Sequence, residues 1–325
     1  MRKITLAGRD VGAIGLGCMS FGGIYGATDA EASHACLAAA LELGIDHWDT
    51  AEIYGMGVSE TVMGEYLCQA PADVSIATKA GIYHEPERNF RNDEASLRAS
   101  LEGSLKRLGR DRVELFYIHR REAARPVEAV VETLAGFVEE GMIGGYGLSE
   151  VAPATLRRAH AVYPCAAVQS EYSLWVRQPE LGMLQFCAAL GVVFVAFSPL
   201  GRGIFSDRAL DRAEFPDGDF RLANPRFIEP NFSANLAAIE EFREYCHGRG
   251  WSVPAAAIAW TMARQPHVLP IPGTRTAAHL AQCAEAAAID LSEDELAEIA
   301  RILPPGFAHG DRYSDAQLFG VERYC

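Results

Sequence analysis

Eight short, largely apolar runs alternate along this chain with longer stretches of helical period, and that alternation restricts the fold more than any other feature. The runs are Ala13–Leu16, Ile45–Trp48, Val74–Thr78, Val113–Ile118, Gly144–Leu148, Ala166–Gln169, Val192–Phe197 and Val268–Ile271. Strands covered on both faces read this way. Between them lie helical patterns over Asp29–Leu43, Ser59–Cys68, Asp93–Arg107, Pro126–Glu140, Pro153–Ala161, Pro179–Leu190, Asn235–Arg249 and Ala277–Ala288. Several open on a helix-start signal: Thr28-Asp29 before the first, and Pro126, Pro153 and Pro179 near first-turn positions that suit proline. A strand followed by a helix returns the chain to a parallel neighbour, so eight such units predict the α/β class and a closed (β/α)8 TIM barrel. No Pro/Gly-rich linker or shift in composition divides residues 1–325, which are therefore expected to form a single domain. Three additions are expected: an N-terminal hairpin within Arg2–Val11, a long loop over Gly201–Asn235 after strand seven, and a C-terminal helix over Ser292–Ile302. The last opens on a Ser292/Glu295 capping box.

Charge removes whole classes of function. The chain has 325 residues with 29 Lys+Arg against 43 Asp+Glu, a formal net charge of −14. Such a balance repels a phosphate backbone, and no Lys/Arg run exceeds two residues, so no nucleic-acid partner is expected. The eight cysteines form no CxxC pair, which fits reduced thiols and no metal site. No apolar window reaches 18 residues, and the opening MRKITLAGRDVGAIGLGC lacks a signal-peptide core. A cytoplasmic protein with no membrane partner is expected, its oligomeric state left open by the sequence.

In a barrel, residues just past the C-terminal strand ends converge on one rim. After the second strand comes Asp49-Thr50-Ala51-Glu52-Ile53-Tyr54-Gly55; the third ends at Lys79 and the fourth at His119. Alone, each has an ordinary explanation: an aspartate caps, a tyrosine packs, a lysine is solvated. Together they deliver a carboxylate, a phenol, an ammonium and an imidazole to neighbouring positions. A phenol of pKa near ~10 is a poor acid at neutral pH unless a cation stabilises its phenolate. Lys79 is the candidate cation, Asp49 its partner, and His119 a hydrogen-bond donor or relay for a substrate oxygen. The set contains no nucleophile or metal ligand, so a general-acid step coupled to an external hydride source is expected.

These stretches, with Tyr117-Ile118-His119-Arg120, resemble the catalytic signature of the aldo-keto reductase superfamily, (β/α)8 enzymes that reduce aldehydes and ketones with NADPH. Gly15-Leu16-Gly17-Cys18-Met19, Gly147-Leu148-Ser149-Glu150, Gln169-Ser170-Glu171-Tyr172-Ser173-Leu174, Phe197-Ser198-Pro199-Leu200-Gly201-Arg202-Gly203 and Ile271-Pro272-Gly273-Thr274-Arg275 extend the likeness. Gly310-Asp311-Arg312-Tyr313 resembles bacterial and plant members near the potassium-channel β-subunits. The resemblance implies Tyr54 as proton donor, tuned by Lys79 and Asp49, with His119 orienting the carbonyl.

No Gly-x-Gly-x-x-Gly follows the first strand, so a cofactor phosphate belongs at the loops after strands seven and eight. Both carry glycine and arginine: Leu200-Gly201-Arg202-Gly203, and Gly273-Thr274-Arg275 ahead of a helix. Arg202 is expected to face the pyrophosphate, and Thr274 with Arg275 the 2′-phosphate of NADPH. The resemblance adds Ser149 and Gln169 for the nicotinamide carboxamide, Phe197 for the ring, Ser198 and Pro199 in the same loop, and a backbone contact from Met19. At the eighth helix, Gln282 matches the family, whereas His279 stands where many relatives carry arginine and Cys283 where they carry asparagine. A neutral histidine grips phosphate less firmly, so NADH is a possible second cofactor. Similarly, the family's His-Arg-x-Asp becomes His119-Arg120-Arg121-Glu122. A small-molecule carbonyl substrate is expected, hydrophobic or aromatic if Phe21, Tyr25, Trp48 and Tyr83 line the pocket. Two other readings compete. One is an NADPH-binding redox-sensing module with slow turnover that acts through a protein partner, against which stands the lack of an extra N-terminal segment; the other, an isomerase or lyase barrel, leaves the second phosphate loop and Tyr54/Lys79 unexplained.

Overall fold

A computed structural model describes residues 2–85 and 87–324. An antiparallel hairpin, β1 (Lys3–Leu6) with β2 (Arg9–Gly12), opens the chain. Eight parallel strands follow: β3 (Leu16–Gly17), β4 (His47–Asp49), β5 (Ser75–Ala80), β8 (Val113–Ile118), β9 (Ile143–Ser149), β10 (Ala167–Glu171), β11 (Val193–Phe197) and β12 (Val268–Ile271). The ring closes where Gly15 and Gly17 donate backbone hydrogen bonds to Pro270 and Pro272, each 2.9 Å, with a parallel bridge from Gly17 to Gly273. A second hairpin, β6 (Ile82–Tyr83) with β7 (Asn89–Phe90), rises from the rim after β5 as a flap.

The period of two along each strand sorts side chains into two cores. Ala77, Leu115, Tyr117, Ala167, Val193, Val195, Leu269 and Ile271 point inward and pack with Leu6, Val11 and Ala13, so the N-terminal hairpin plugs the barrel floor. Their neighbours Ile76, Phe116, Tyr146, Leu148, Val168 and Phe194 point outward against the helices. A Cβ on Gly147 would stand 2.3 Å from the ring of Tyr117, so the absent side chain makes room for that ring inside the barrel.

The helices between the strands are α1 (Ala30–Glu42), α2 (Val58–Gln69), α3 (Glu94–Leu108), α4 (Val127–Glu139), α5 (Pro153–Val162), α6 (Met183–Leu190), α7 (Asn231–Gly248), α8 (Val253–Ala263) and α9 (Ala277–Ala284), followed by α10 (Glu293–Ile302) and α11 (Asp315–Leu318). Asp29, Asp93 and Ser292 cap their helices through side-chain oxygens, the last with Glu295 in the expected capping box. Two helices, not one, lie between β11 and β12. The expected helix over Asn235–Arg249 is α7, which begins at Asn231, and the helix in contact with β12 is α8, Val-Pro-Ala-Ala-Ala-Ile-Ala-Trp-Thr-Met-Ala. Nine consecutive residues of α8, Val253–Thr261, are buried, so it has no polar stripe and no helical period to read. The loop from Gly201 keeps only single helical turns before α7. Among the described residues no helix is long and apolar enough to cross a membrane.

Candidate active site

Inward positions at the C-terminal ends of the strands open into a cleft of about 660 Å³. Asp49 is the last residue of β4 and Lys79 the fifth of β5; both point into the barrel and are buried. The Lys79 ammonium donates to Asp49 Oδ1, to the Thr50 carbonyl at 2.7 Å and to the Tyr54 hydroxyl at 3.4 Å. Gln169 Nε2 donates to the second Asp49 oxygen at 2.8 Å. The carboxylate is thus fixed from two sides, and the ammonium is aimed at the phenol. Tyr54 reaches this point because its loop lies against the loop after β3: a Cβ on Gly22 would be 2.6 Å from Gly55 N, closer than any side chain allows.

His119 follows β8 with its ring edge-on to Tyr54 at 5.7 Å between centroids. Its Nδ1 is buried without a hydrogen-bond partner. Burial, then the charges of Arg120, Lys79 and Arg88, push its pKa well below the usual value, so the imidazole is neutral. Burial also raises the Tyr54 phenol, and Lys79 opposes it only in part. Lys79 pulls in the expected direction, and desolvation exceeds the single cation's pull. Lys79 itself, despite burial, is held above its ordinary value by Asp49 and Tyr54.

Of the residues expected to hold a cofactor, Met19, Ser149, Gln169, Phe197, Ser198, Pro199, Leu200, Arg202, Gly203, Gly273, Thr274, Arg275 and His279 line the same cleft as Tyr54 and His119. Gly201, Gln282 and Cys283 do not line it. Gln282 donates to Asp207 at 3.1 Å, and Cys283 lies in the outer core, its thiol pushed up to about 12 by burial. Arg202 does not present a free guanidinium. It donates to Glu171 at 2.9 Å and to the Arg312 carbonyl at 2.9 Å, and it stacks 4.6 Å from the Tyr313 ring centroid. Arg312 in turn binds Glu150 and, at 3.2 Å, Glu171. Burial raises the Glu150 carboxyl, yet Arg312 holds it below its ordinary value. Two carboxylates and two guanidiniums therefore form a closed buried cluster that ties the C-terminal tail to the turn after β11. Glu150, Ser198 and Arg202 all adopt positive φ (55°, 51° and 61°), backbone strain concentrated around this rim.

Sequence reading missed part of the wall. Ile82, His84 and Arg88 of the flap, Arg120, Phe220 and Arg221 of the long loop, and Tyr313 and Gln317 of the tail all line the cleft. Of the four residues expected to shape the substrate pocket, only Tyr25 does so. Phe21 and Trp48 are core, and Tyr83 turns away to bond Ser100 Oγ at 3.0 Å.

Ser149 and Gln169 test the fit of a nicotinamide carboxamide. The Ser149 oxygen accepts from Arg120 at 3.1 Å, leaving its proton to donate; Gln169 spends its amide on Asp49, leaving its carbonyl oxygen to accept. One free donor and one free acceptor match what a primary amide requires. At the other end Thr276 caps α9, and Arg275 makes one hydrogen bond, to the Ala27 carbonyl at 3.0 Å.

The chain is 35% identical over 311 residues to the aldo-keto reductase yakc of Schizosaccharomyces pombe, whose name specifies NADP(+), covering 93% of this chain and 92% of that one. A glycerol dehydrogenase of Gluconobacter oxydans superposes with a TM-score of 0.85 at 27% identity, covering 93% of this chain and 94% of that chain. An aldo/keto reductase of Klebsiella pneumoniae, solved with NADP and acetate, gives 0.74 at 27% identity over 96% and 98%. Residues 13–304 match the sequence profile of the Aldo/keto reductase family, and with the closed barrel and this rim the chain belongs to that family.

Proposed function

We propose that this protein reduces aldehydes or ketones to alcohols with NADPH, Tyr54 serving as the general acid. One observation carries the reading: the buried chain from Gln169 through Asp49 and Lys79 to the Tyr54 hydroxyl, ending beside a neutral His119 in a cleft that also holds an amide-binding pair. The names of the similar proteins above support NADP as the cofactor.

Ser149 and Gln169 would hold the carboxamide, Phe197 the ring face, and the turn of Ser198, Pro199, Leu200, Gly201 and Gly203 the pyrophosphate, with the Leu200 backbone N–H as donor, since Pro199 has none and those of Gly201 and Gly203 already bond the Ser198 and Leu200 carbonyls within the turn. Gly273, Thr274, Arg275 and His279 would meet the 2′-phosphate at the N-terminus of α9. Arg202 is assigned a different task from the one expected: paired with Glu171, it fixes the turn. When bound, the cofactor supplies a hydride to the carbonyl carbon. Tyr54 gives its proton to the carbonyl oxygen, and the alcohol leaves after solvent restores the phenol. Between full charges 3.4 Å apart, Lys79 stabilises the phenolate by on the order of 5 kcal/mol at an effective dielectric of ~20. That stabilisation appears only as the proton departs, which is why a phenol that burial has made a weak acid at rest can still act as one in the transition state. His119, neutral, donates a hydrogen bond to the same oxygen and places it.

Loss of NADPH absorbance across a panel of aldehydes tests the reading. Turnover with NADPH, slower with NADH, is expected. Tight NADPH binding with no turnover on any aldehyde would favour the regulatory module instead.

A further inference from the structure

The charges lining the cleft are unevenly balanced. Lys79 is matched by Asp49, Arg202 by Glu171 and Arg221 by Asp219 at 2.7 Å. Three lining arginines, Arg88, Arg120 and Arg275, have no carboxylate within 4 Å among the described residues. They fall into two groups. Arg275 follows β12, where the proposed cofactor phosphates would lie. Arg120 follows β8, which stands opposite β12 in the ring of eight strands, and Arg88 belongs to the flap after β5. Arg120 is buried: one nitrogen donates to the His119 carbonyl at 2.6 Å and to Ser149 Oγ at 3.1 Å, while its Nε is buried with no acceptor. Among the described residues Arg88 donates only to the Ala316 carbonyl, at 3.3 Å.

A cofactor accounts for Arg120 only through its one bond to Ser149, and gives no reason for the charge of this second group. The nicotinamide end of NADPH is uncharged, and that of NADP+ is positive, so guanidiniums beside it are repelled or indifferent. They are suited to an anion that arrives separately. We propose that the carbonyl substrate itself carries an anionic group, a carboxylate, seated against Arg88 and Arg120 beside the Tyr54/His119 pair. This proposal rests on the reductase reading above and replaces the hydrophobic aldehyde expected from sequence. In its support, Arg88 is held below its ordinary pKa first by burial and then by the like charge of Arg120, so the two cations feel one another. The bound carboxylate would also sit close to His119, whose own pKa both arginines depress.

The test compares each anion with a neutral match of nearly the same shape at two spacings: 4-carboxybenzaldehyde against 4-carbamoylbenzaldehyde, and 4-oxobutanoate against 4-methylpentanal. The expected result is a preference of roughly tenfold or more in kcat/KM for the acid of at least one pair, carried mainly by KM and shrinking as salt is added. Arg88→Gln should remove most of that preference, lowering kcat/KM for the acid far more than for its neutral match, and Arg88→Lys should restore part of it. Equal or better turnover of both neutral compounds by the wild-type protein would overturn the proposal, as would a preference that survives Arg88→Gln intact. If no aldehyde, charged or neutral, consumed NADPH, the reductase reading would fall and the anion site with it; activity without the preference would remove the anion site alone.

Discussion

Lys79→Met separates the structural from the chemical work of the buried pair. Methionine nearly matches the lysine stem, so the change leaves little cavity but strands Asp49, a carboxylate with 3% side-chain exposure, on the single remaining bond from Gln169. Breaking a buried ion pair by removing one partner costs about 3–5 kcal/mol, most of it the desolvation of the orphaned charge. For 325 residues the unfolding entropy is about 0.7 kcal/mol/K, so the midpoint should fall by about 4–7 °C. Adding Asp49→Asn to Lys79→Met removes the stranded charge and should recover more than half of the loss, a coupling readable by a double-mutant cycle in thermal or urea unfolding. Activity should not recover in the double variant, because the phenolate still lacks its cation. A Lys79→Met variant within 1 kcal/mol of wild type, or strictly additive single changes, would refute the reasoning.

Gly147→Ala places a Cβ 2.3 Å from Tyr117 and 2.9 Å from the Ala167 carbonyl, neither able to retreat inside the barrel; a loss of about 1–3 kcal/mol is expected in urea unfolding, and an unchanged midpoint would contradict the inward register of β9. His47, its Nε2 buried without a partner, is pushed down to about 4 by burial. Below pH 6.5 the unfolded chain therefore takes up a proton that the folded one does not, and stability should be full above that pH and fall by about 1.4 kcal/mol per unit from there to pH 4. Urea midpoints of His47→Gln should show a shallower fall over this window, and an identical slope would remove His47 from the explanation. Arg312→Met leaves Glu150 without its ion-pair partner and Glu171 with Arg202 alone, so the turn after β11 should loosen and NADPH affinity should drop roughly tenfold or more by fluorescence titration, with a stability loss of about 3 kcal/mol or more. Unchanged affinity would separate the cluster from the cofactor loop.

Much of this site was legible because a strand's period of two and a barrel's single active rim together fix where a residue must point. Asp49, Lys79, Ser149, Gln169 and Phe197 all sit on inward positions near a C-terminal strand end, so placing the strands placed them. What depended on side-chain contacts between distant segments was not legible. Arg202 looked like a phosphate ligand because its carboxylate, Glu171, lies 31 residues away in sequence on the neighbouring strand. Helix α8 was hidden by being apolar all round. The flap, only two residues per strand, gave no periodic signal, and with it went Arg88. Phe21 and Trp48 were misread as pocket residues because an aromatic near a strand end fits either the cleft or the outer core, and only the register decides.

Tyr54→Phe tests the account most directly. The change removes the hydroxyl and keeps the ring against His119, and it leaves Lys79 with Asp49 and Thr50. Single-turnover consumption of NADPH with an aldehyde should fall roughly 10²–10⁴-fold, as expected when a positioned general acid is lost, while NADPH affinity and the unfolding midpoint remain close to wild type. A variant that turns over at wild-type rate would show that the proton comes from elsewhere and would contradict the assignment of Tyr54.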